Sequence, residues 1–464
     1  MDGQKLVTNE QQTVKVPIIR KLAYGSTDLS YQLLTTTVSA YLVYFYTDVA
    51  KMSLGAIGTL MLIARLLSAL AAPISGYFID NTHTRWGKAR PWYLWMCFPV
   101  AIFSILLFVA PNFANSALNI TYIWVTYVIW SMLEIFINTP DTAILPLLTK
   151  DRNQRTIFNS FRNGGSQIGA LIANASVLPL VAFFGGSNAK KGFFETVCFL
   201  ALLCVLGYLF VFTFIREVHS DDAIQQEKEH VSFADGFRAM KGNWAFILTF
   251  IITILVFIAS MARNSSVIYY FQYSLDNLGM VALANALNST QLISIVFLPV
   301  IVRKLGQSNT WVLGLVMTAL AQPLILISGH NLFLVLTFWV VNNLGMGICV
   351  PLIFAILADS ADYGEWKNHI AAPGFLAGVG ATTATKLGGG LGMGIVPWVL
   401  GMFGYVAEKQ QTSQALMGIQ VVFIWLPCVC LLLAVIPAYF YRKAERQRPQ
   451  IQQELMQRRL QENG

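Results

Sequence analysis

Seven ionisable side chains stand inside runs of sequence that otherwise read as hydrocarbon: Asp28, Arg65, Glu134, Asp141, Arg162, Arg263 and Lys386. A charge at membrane depth costs about 2.5–3.5 kcal/mol even on insertion scales, so such residues mark a polar cavity by default. Glu134, Asn138 and Asp141 recur at i, i+4 and i+7 and so share one helix face. Pro140 lies among them and frees a backbone carbonyl toward that face. Asp28, Tyr31 and Gln32 share a face in the same way, and Thr382 stands one turn before Lys386. These acids, set against Arg162 and Lys386, can pair across a wet cavity. Such a cavity suits a polyhydroxylated ligand: sugar hydroxyls need donors and acceptors together, and Tyr31 can stack on a sugar face. Arg65 and Arg263 read equally as structural partners or as functional groups. Asn342 and Asn343 read equally as interhelical hydrogen bonds or ligand contacts, and Gly388, Gly389 and Gly390 as close helix packing.

The elements that must position these residues are membrane spans. Twelve largely apolar stretches lie near 28–48, 55–79, 92–110, 119–148, 157–185, 193–215, 244–273, 281–302, 309–328, 331–357, 374–404 and 415–441. Each is long enough for a bilayer core of roughly 30 Å. Counting connections alternately, one face receives 23 of the 31 Lys and Arg residues and the other only Lys51, Lys190, Lys191 and Lys409. The positive-inside rule then puts both termini in the cytoplasm. The composition, 56% hydrophobic and 12% charged, fits a membrane protein. The net charge of +8 is spread over short loops, which points to topology and lipid contact, not to nucleic acid.

The chain divides as 1–27, a cytoplasmic segment; 28–216, a six-helix bundle; 217–243, a cytoplasmic loop; 244–441, a second six-helix bundle; and 442–464, a cytoplasmic tail. The tail, with Ile451, Leu455 and Leu460, reads either as a short amphipathic helix or as solvated chain. The fold class is an all-α membrane protein, and the 6+6 count resembles a major-facilitator transporter, two six-helix bundles around a midplane site. No HExxH, GxSxG or paired-aspartate pattern of a membrane enzyme is present. The six cysteines all lie in apolar stretches without metal-ligand spacing, and residues 1–16 lack the apolar core of a signal peptide. Neither a cofactor nor a metal is expected.

Three strings narrow the reading: Tyr46-Thr-Asp48 ending the first stretch, Asp80 followed by Arg85-Trp-Gly-Lys88 after the second, and Asp359-Ser-Ala-Asp362-Tyr-Gly-Glu365 after the tenth. Together they closely resemble the glycoside–pentoside–hexuronide:cation symporters, the family of the melibiose and glucuronide carriers, over nearly all of residues 20–441. The resemblance implies a sugar or glycoside carrier of the cell inner membrane, working by alternating access. Its substrate site would include Asp28, Tyr31, Gln32, Asn138, Asp141, Arg162, Thr382 and Lys386. Its cytoplasmic gate would be made by Asp80, Arg85, Lys88, Asp359, Asp362 and Glu365. This chain departs from the sodium-coupled pattern R-x-x-D-A-x-x-D-P, reading Arg65-Leu-Leu-Ser68-Ala-Leu-Ala-Ala72-Pro73, so both cation carboxylates are gone. Sodium coupling is therefore not expected. Proton coupling, with Glu134 as the carrying acid, and uncoupled exchange or uniport both remain open. So do a non-sugar amphipathic solute and a sensor without flux. A monomer is expected, and which sugar is carried is not readable from the residues.

Overall fold

The computed structural model describes residues 17–111, 113, 115–149, 152–217, 238, 240–368, 376, 380–407 and 409–462. The first half consists of α1 (Ile18–Tyr44), α2 (Leu54–Asp80), α3 (Arg90–Leu107), α4 (Ser116–Leu148), α5 (Arg152–Gly185) and α6 (Ala189–Phe214). The second half begins with α7 (Trp244–Tyr269). Its next crossing is made of α8 (Met280–Ala286) and α9 (Gln291–Leu305), joined by a 3-10 turn at Leu287–Thr290. Then come α10 (Gln307–Ile327), α11 (Leu332–Asn368) and α12 (Ala381–Met402). The last crossing is α13 (Ser413–Gln420), a π turn and α14 (Leu426–Phe440), followed by α15 (Arg442–Glu462).

Nine helical stretches among the described residues are long and apolar enough to cross a membrane, and α2 contributes a shorter apolar stretch, Leu54–Ser68. The other two crossings, α1 and α12, have 27 and 22 residues, enough at about 1.5 Å per residue to span the core. They are diluted by the polar residues Asp28, Gln32, Thr382 and Lys386. Among the described residues these make twelve candidate crossings, six up to Phe214 and six from Trp244.

Small residues set the closest approaches. A Cβ on Gly25 of α1 would lie 2.8 Å from the Phe161 carbonyl oxygen of α5. In the second half, Cβ atoms on Gly388 and Gly392 of α12 would each lie 2.6 Å from a carbonyl oxygen of α7. The glycine run after Lys386 is thus a packing surface, as its spacing suggested. The halves meet along two seams, α2 against α12 and α5 against α8, with α1 also touching α7.

Two boundaries differ from the sequence reading. The first helix begins at Ile18, straight after the extended Pro17, and carries Arg20 and Lys21 in its first turn, which sequence reading assigned to a loop. The eighth crossing is broken by its 3-10 turn, where Asn288 and Thr290 interrupt the apolar pattern. The tail is the helical alternative of the two expected: α15 buries Ile451 and Leu455 and packs against α11.

Candidate functional site

A central cavity of about 460 Å³ lies between the halves. Tyr31 and Gln32 of α1, Glu134 of α4 and Lys386 of α12 border it, as their spacing predicts. Glu134 is the hub. Its Oε1 accepts from Lys386 Nζ at 3.0 Å and from the Tyr31 hydroxyl at 2.5 Å, and its Oε2 accepts from Arg65 Nη1 at 3.3 Å. One nearly inaccessible carboxylate therefore ties α1, α2 and α4 to α12 in the other half. Two cations and a hydroxyl converge on Glu134. That arrangement makes it an anchor between the two halves.

Asp28, Arg162 and Asp141 form a second cluster below the first. Arg162 Nε stands 3.1 Å from Asp28 Oδ2. Asp141 Oδ1 accepts from the Tyr93 hydroxyl at 2.7 Å, and Tyr24 donates to the Asp141 backbone carbonyl at 2.8 Å. The cavity lining, among the described residues, leaves out Asp28, Asn138, Asp141, Arg162 and Thr382. On α12 the lining threonine is Thr385, whose hydroxyl donates to the Thr382 carbonyl. Gln32 reaches the cavity one turn beyond Asp28, and its amide donates to Ser166 Oγ, one turn beyond Arg162, at 3.0 Å.

The second half supplies what sequence reading underweighted. Asn285, Asn288 and Gln291 border the cavity at i, i+3 and i+6 across the broken crossing, a periodic amide signal that was legible. Arg263 is buried in a cage of amide oxygens. Its Nη2 donates to Asn343 at 3.0 Å and Asn288 at 3.3 Å, its Nη1 donates to Asn342, and its guanidinium lies 4.3 Å from the Trp339 ring centroid. Asn342 and Asn343 turn their NH₂ groups to the Thr318 and Trp339 carbonyls, which fixes their oxygens toward the cation. Asn342 serves an interhelical bond, and Asn343 also borders the cavity.

The two halves are bolted together on the face opposite the chain termini. Asp48 Oδ1 accepts from the hydroxyls of Tyr273 and Tyr405, each at 2.6 Å, and Thr47 Oγ1 meets the Tyr269 hydroxyl at 2.5 Å. Asp48 and Tyr273 sit in matching π turns that end α1 and α7.

On the terminal face stand the residues expected to form a gate. Asp359 of α11 pairs with Arg448 of the tail helix at 2.7 Å. Arg85 lies over the neighbouring Trp86 ring, and Asp362 and Glu365 occupy the last turns of α11. Asp80 ends α2, with its side chain outside the described residues. Lys88 contributes its backbone: the N–H groups of Lys88, Ala89 and Arg90 converge on the carboxylate of Glu217 at 2.8–2.9 Å. The second half repeats this device, with Gln307 and Ser308 donating to Glu445 at 2.6 and 3.0 Å.

Two helical halves around a midplane polar cavity, fastened by charged pairs and sealed on one face, define a secondary transporter of the major facilitator fold, not an enzyme. The chain matches the family model of the MFS/sugar transport proteins over residues 23–443 and belongs to that family. It is similar to the isoprimeverose transporter of Lactiplantibacillus pentosus, 33% identical over 97% of this chain and 93% of that one. It is also similar to the uncharacterized symporter YnaJ of Bacillus subtilis (strain 168), 29% identical over 96% of both chains. Among solved structures, the nucleoside transporter NupG shares the fold with a TM-score of 0.66 at 17% identity, over 92% of this chain and 98% of that one.

Proposed function

We propose that this chain is a symporter for a sugar or glycoside in the cytoplasmic membrane, with both termini cytoplasmic and a single chain as the working unit. The observation that carries the reading is the cavity lining. Gln32, Ser166 and Gln167 from one half face Asn264, Asn288 and Gln291 from the other, a field of donors and acceptors set beside the apolar Leu171, Phe257, Met261 and Met346. A ring of hydroxyls satisfies such a field; a hydrocarbon tail does not. Because the lining comes from both halves, a bound sugar would bridge them and favour their closing about it. The likeness to an isoprimeverose transporter supports a glycoside of about disaccharide size, which a cavity of about 460 Å³ admits.

Alternating access then requires the Asp48 seal to open while the terminal face closes. The Lys386–Glu134 bridge stays near the fulcrum. The test is a thermal-shift screen of the purified full chain against isoprimeverose, methyl xylosides, galactosides and glucuronides, followed by counterflow of the stabilising compound in proteoliposomes. Stabilisation by isoprimeverose or another glycoside, with counterflow, is expected. Absence of both across the panel would overturn the substrate class.

A further inference from the structure

Asp28, Glu134 and Asp141 share three bases, Arg65, Arg162 and Lys386, but not evenly. Glu134 has two cations, Arg65 and Lys386. Asp28 and Asp141 have one between them, Arg162. Asp28 and Asp141 are 7% and 0% exposed, and their side chains lie within hydrogen-bonding reach of each other. Asp28 Oδ1 and Asp141 Oδ2 are both buried and without a hydrogen-bond partner. The other groups around them are phenols: Tyr24 from α1, Tyr93 from α3 and Tyr208 from α6. Tyr93 already donates to Asp141 Oδ1, and neither the buried Tyr208 hydroxyl nor Arg162 Nε completes a hydrogen bond to the two bare oxygens. Two acceptors facing each other out of water repel when both acids are ionised. One proton between them turns the repulsion into a hydrogen bond and leaves a single negative charge for Arg162.

We propose that Asp28 and Asp141, held by Arg162, form the proton-binding site of this carrier. The site takes one H⁺ from water on the loading side as a carboxyl O–H donated to the partner carboxylate, and returns it to water on the other side. The proposal rests on the symport reading above. The geometry also gives the link to substrate. Gln32 follows Asp28 by one turn and Ser166 follows Arg162 by one turn, and both border the cavity and bond to each other. Asp141 and Glu134 lie two turns apart on α4, and Tyr31, three residues past Asp28, donates to Glu134. The helices that carry the proton pair are thus the helices that carry the sugar ligands and the interhalf bridge. A sugar held by Gln32 of α1 and Ser166 of α5 fixes how Arg162 sits against Asp28, and so how one base is divided between the two acids.

The experiment uses the full chain in proteoliposomes with radiolabelled isoprimeverose and an inward-acid pH gradient of one unit. The reading is the steady-state ratio of internal to external sugar, which a slow carrier still reaches. A one-proton symporter should approach about tenfold, and Asp141→Asn and Asp28→Asn should each fall to about one. Accumulation near tenfold in Asp141→Asn, or none in the parent despite exchange, overturns the proposal. If isoprimeverose is not exchanged at all, the substrate reading has failed, and infrared titration of the detergent-purified protein decides the pair. A protonated-carboxyl stretch that disappears with rising pH in the parent should be missing from both variants. A band that persists in both overturns the site.

Discussion

Lys386 Nζ donates to Glu134 Oε1 at 3.0 Å and so joins α12 of one half to α4 of the other through the middle of the molecule. The two partners are not equivalent. Removing Lys386 leaves Glu134 still matched by Arg65 and Tyr31, whereas removing Glu134 strands two buried cations. Stranding a buried charge typically costs about 3–5 kcal/mol. Glu134→Ala is therefore expected to lower the melting temperature in detergent clearly more than Lys386→Ala. Lys386→Ala should act chiefly on sugar binding and transport. Equal melting temperatures for the two variants would show that the bridge does not carry the asymmetry.

A second prediction concerns the seal. Tyr273→Phe with Tyr405→Phe removes both hydroxyls from Asp48 Oδ1 and keeps the aromatic packing around them. Each such bond to a carboxylate contributes about 1.5–3 kcal/mol, enough to shift a conformational equilibrium by more than tenfold. A cysteine at Ser39, which borders the cavity, should then react faster with an impermeant maleimide added from the Asp48 side. The same reagent tests orientation: cysteines at Asn115 and Ser187 should label from outside whole cells. Failure to label there while loops on the terminal face do label would reverse the assigned topology.

The two carboxylate-capped helices yield a third. Gly87 and Gly306 have φ of +109° and +82°, and each stands just ahead of a helix start whose N–H groups hold Glu217 or Glu445. A Cβ on Gly306 would lie 2.9 Å from Glu445 Oε1, and one on Gly87 would enter the Glu217 carboxylate. Removing a charged cap costs about 0.5–2 kcal/mol. Glu217→Ala and Glu445→Ala should each lower the melting temperature modestly, and Gly87→Ala and Gly306→Ala at least as much as the acid deletions. Melting temperatures at the parent value for Gly87→Ala and Gly306→Ala would show that the cradles tolerate a side chain.

These caps also show where sequence reading ran out. The crossings, the two halves and the pairing of intramembrane acids with Arg162 and Lys386 follow from hydropathy, charge asymmetry and helical spacing, because in a bilayer the cost of a lone charge forces pairing. What spacing cannot show is which acid meets which base: Glu134 and Asp141 share a face on paper, yet belong to separate clusters two turns apart. Glu217 was passed over because its partners are backbone N–H groups, which leave no mark in a residue string. Asp359 was assigned to a gate by likeness, while its partner in this structure is Arg448, on a tail whose amphipathic pattern left two readings open.

The tail helix offers a fourth prediction. Glu454 accepts from Trp366 Nε1 at 2.6 Å and from Gln450 at 2.9 Å, and these bonds hold its carboxyl below the ordinary carboxylate range. A depressed carboxyl contributes while ionised, so the docking term is present above the unfolded value of about 4.3 and fades as pH falls through the lower folded value. Deleting residues 442–464 should lower the melting temperature at neutral pH, since Ile451 and Leu455 lose their cover on α11. Glu454→Gln should reproduce only the acid-sensitive part of that loss. A deletion variant that melts with the parent would show that the tail is not docked.

The final prediction concerns the coupling ion. Sodium needs several oxygen ligands with carboxylates among them. The positions where sodium-coupled relatives place two aspartates hold Ser68 and Ala72. Ser68 Oγ is buried and donates to the Arg65 carbonyl, one turn back in its own helix, at 2.9 Å. Arg65 itself reaches Glu134, so a guanidinium charge stands close to where the cation would sit. A bare sodium ion there would face that charge, and of the two positions only Ser68 offers a side-chain oxygen. Isoprimeverose accumulation in proteoliposomes should therefore be unchanged when an inward sodium or lithium gradient is imposed at fixed pH and replaced by choline. Restoring the acids as Ser68→Asp with Ala72→Asp tests the converse: the double variant should acquire sodium-stimulated binding if these two positions alone set ion choice. Sodium-driven accumulation in the parent would sink both the ion assignment and the charge argument from Arg65.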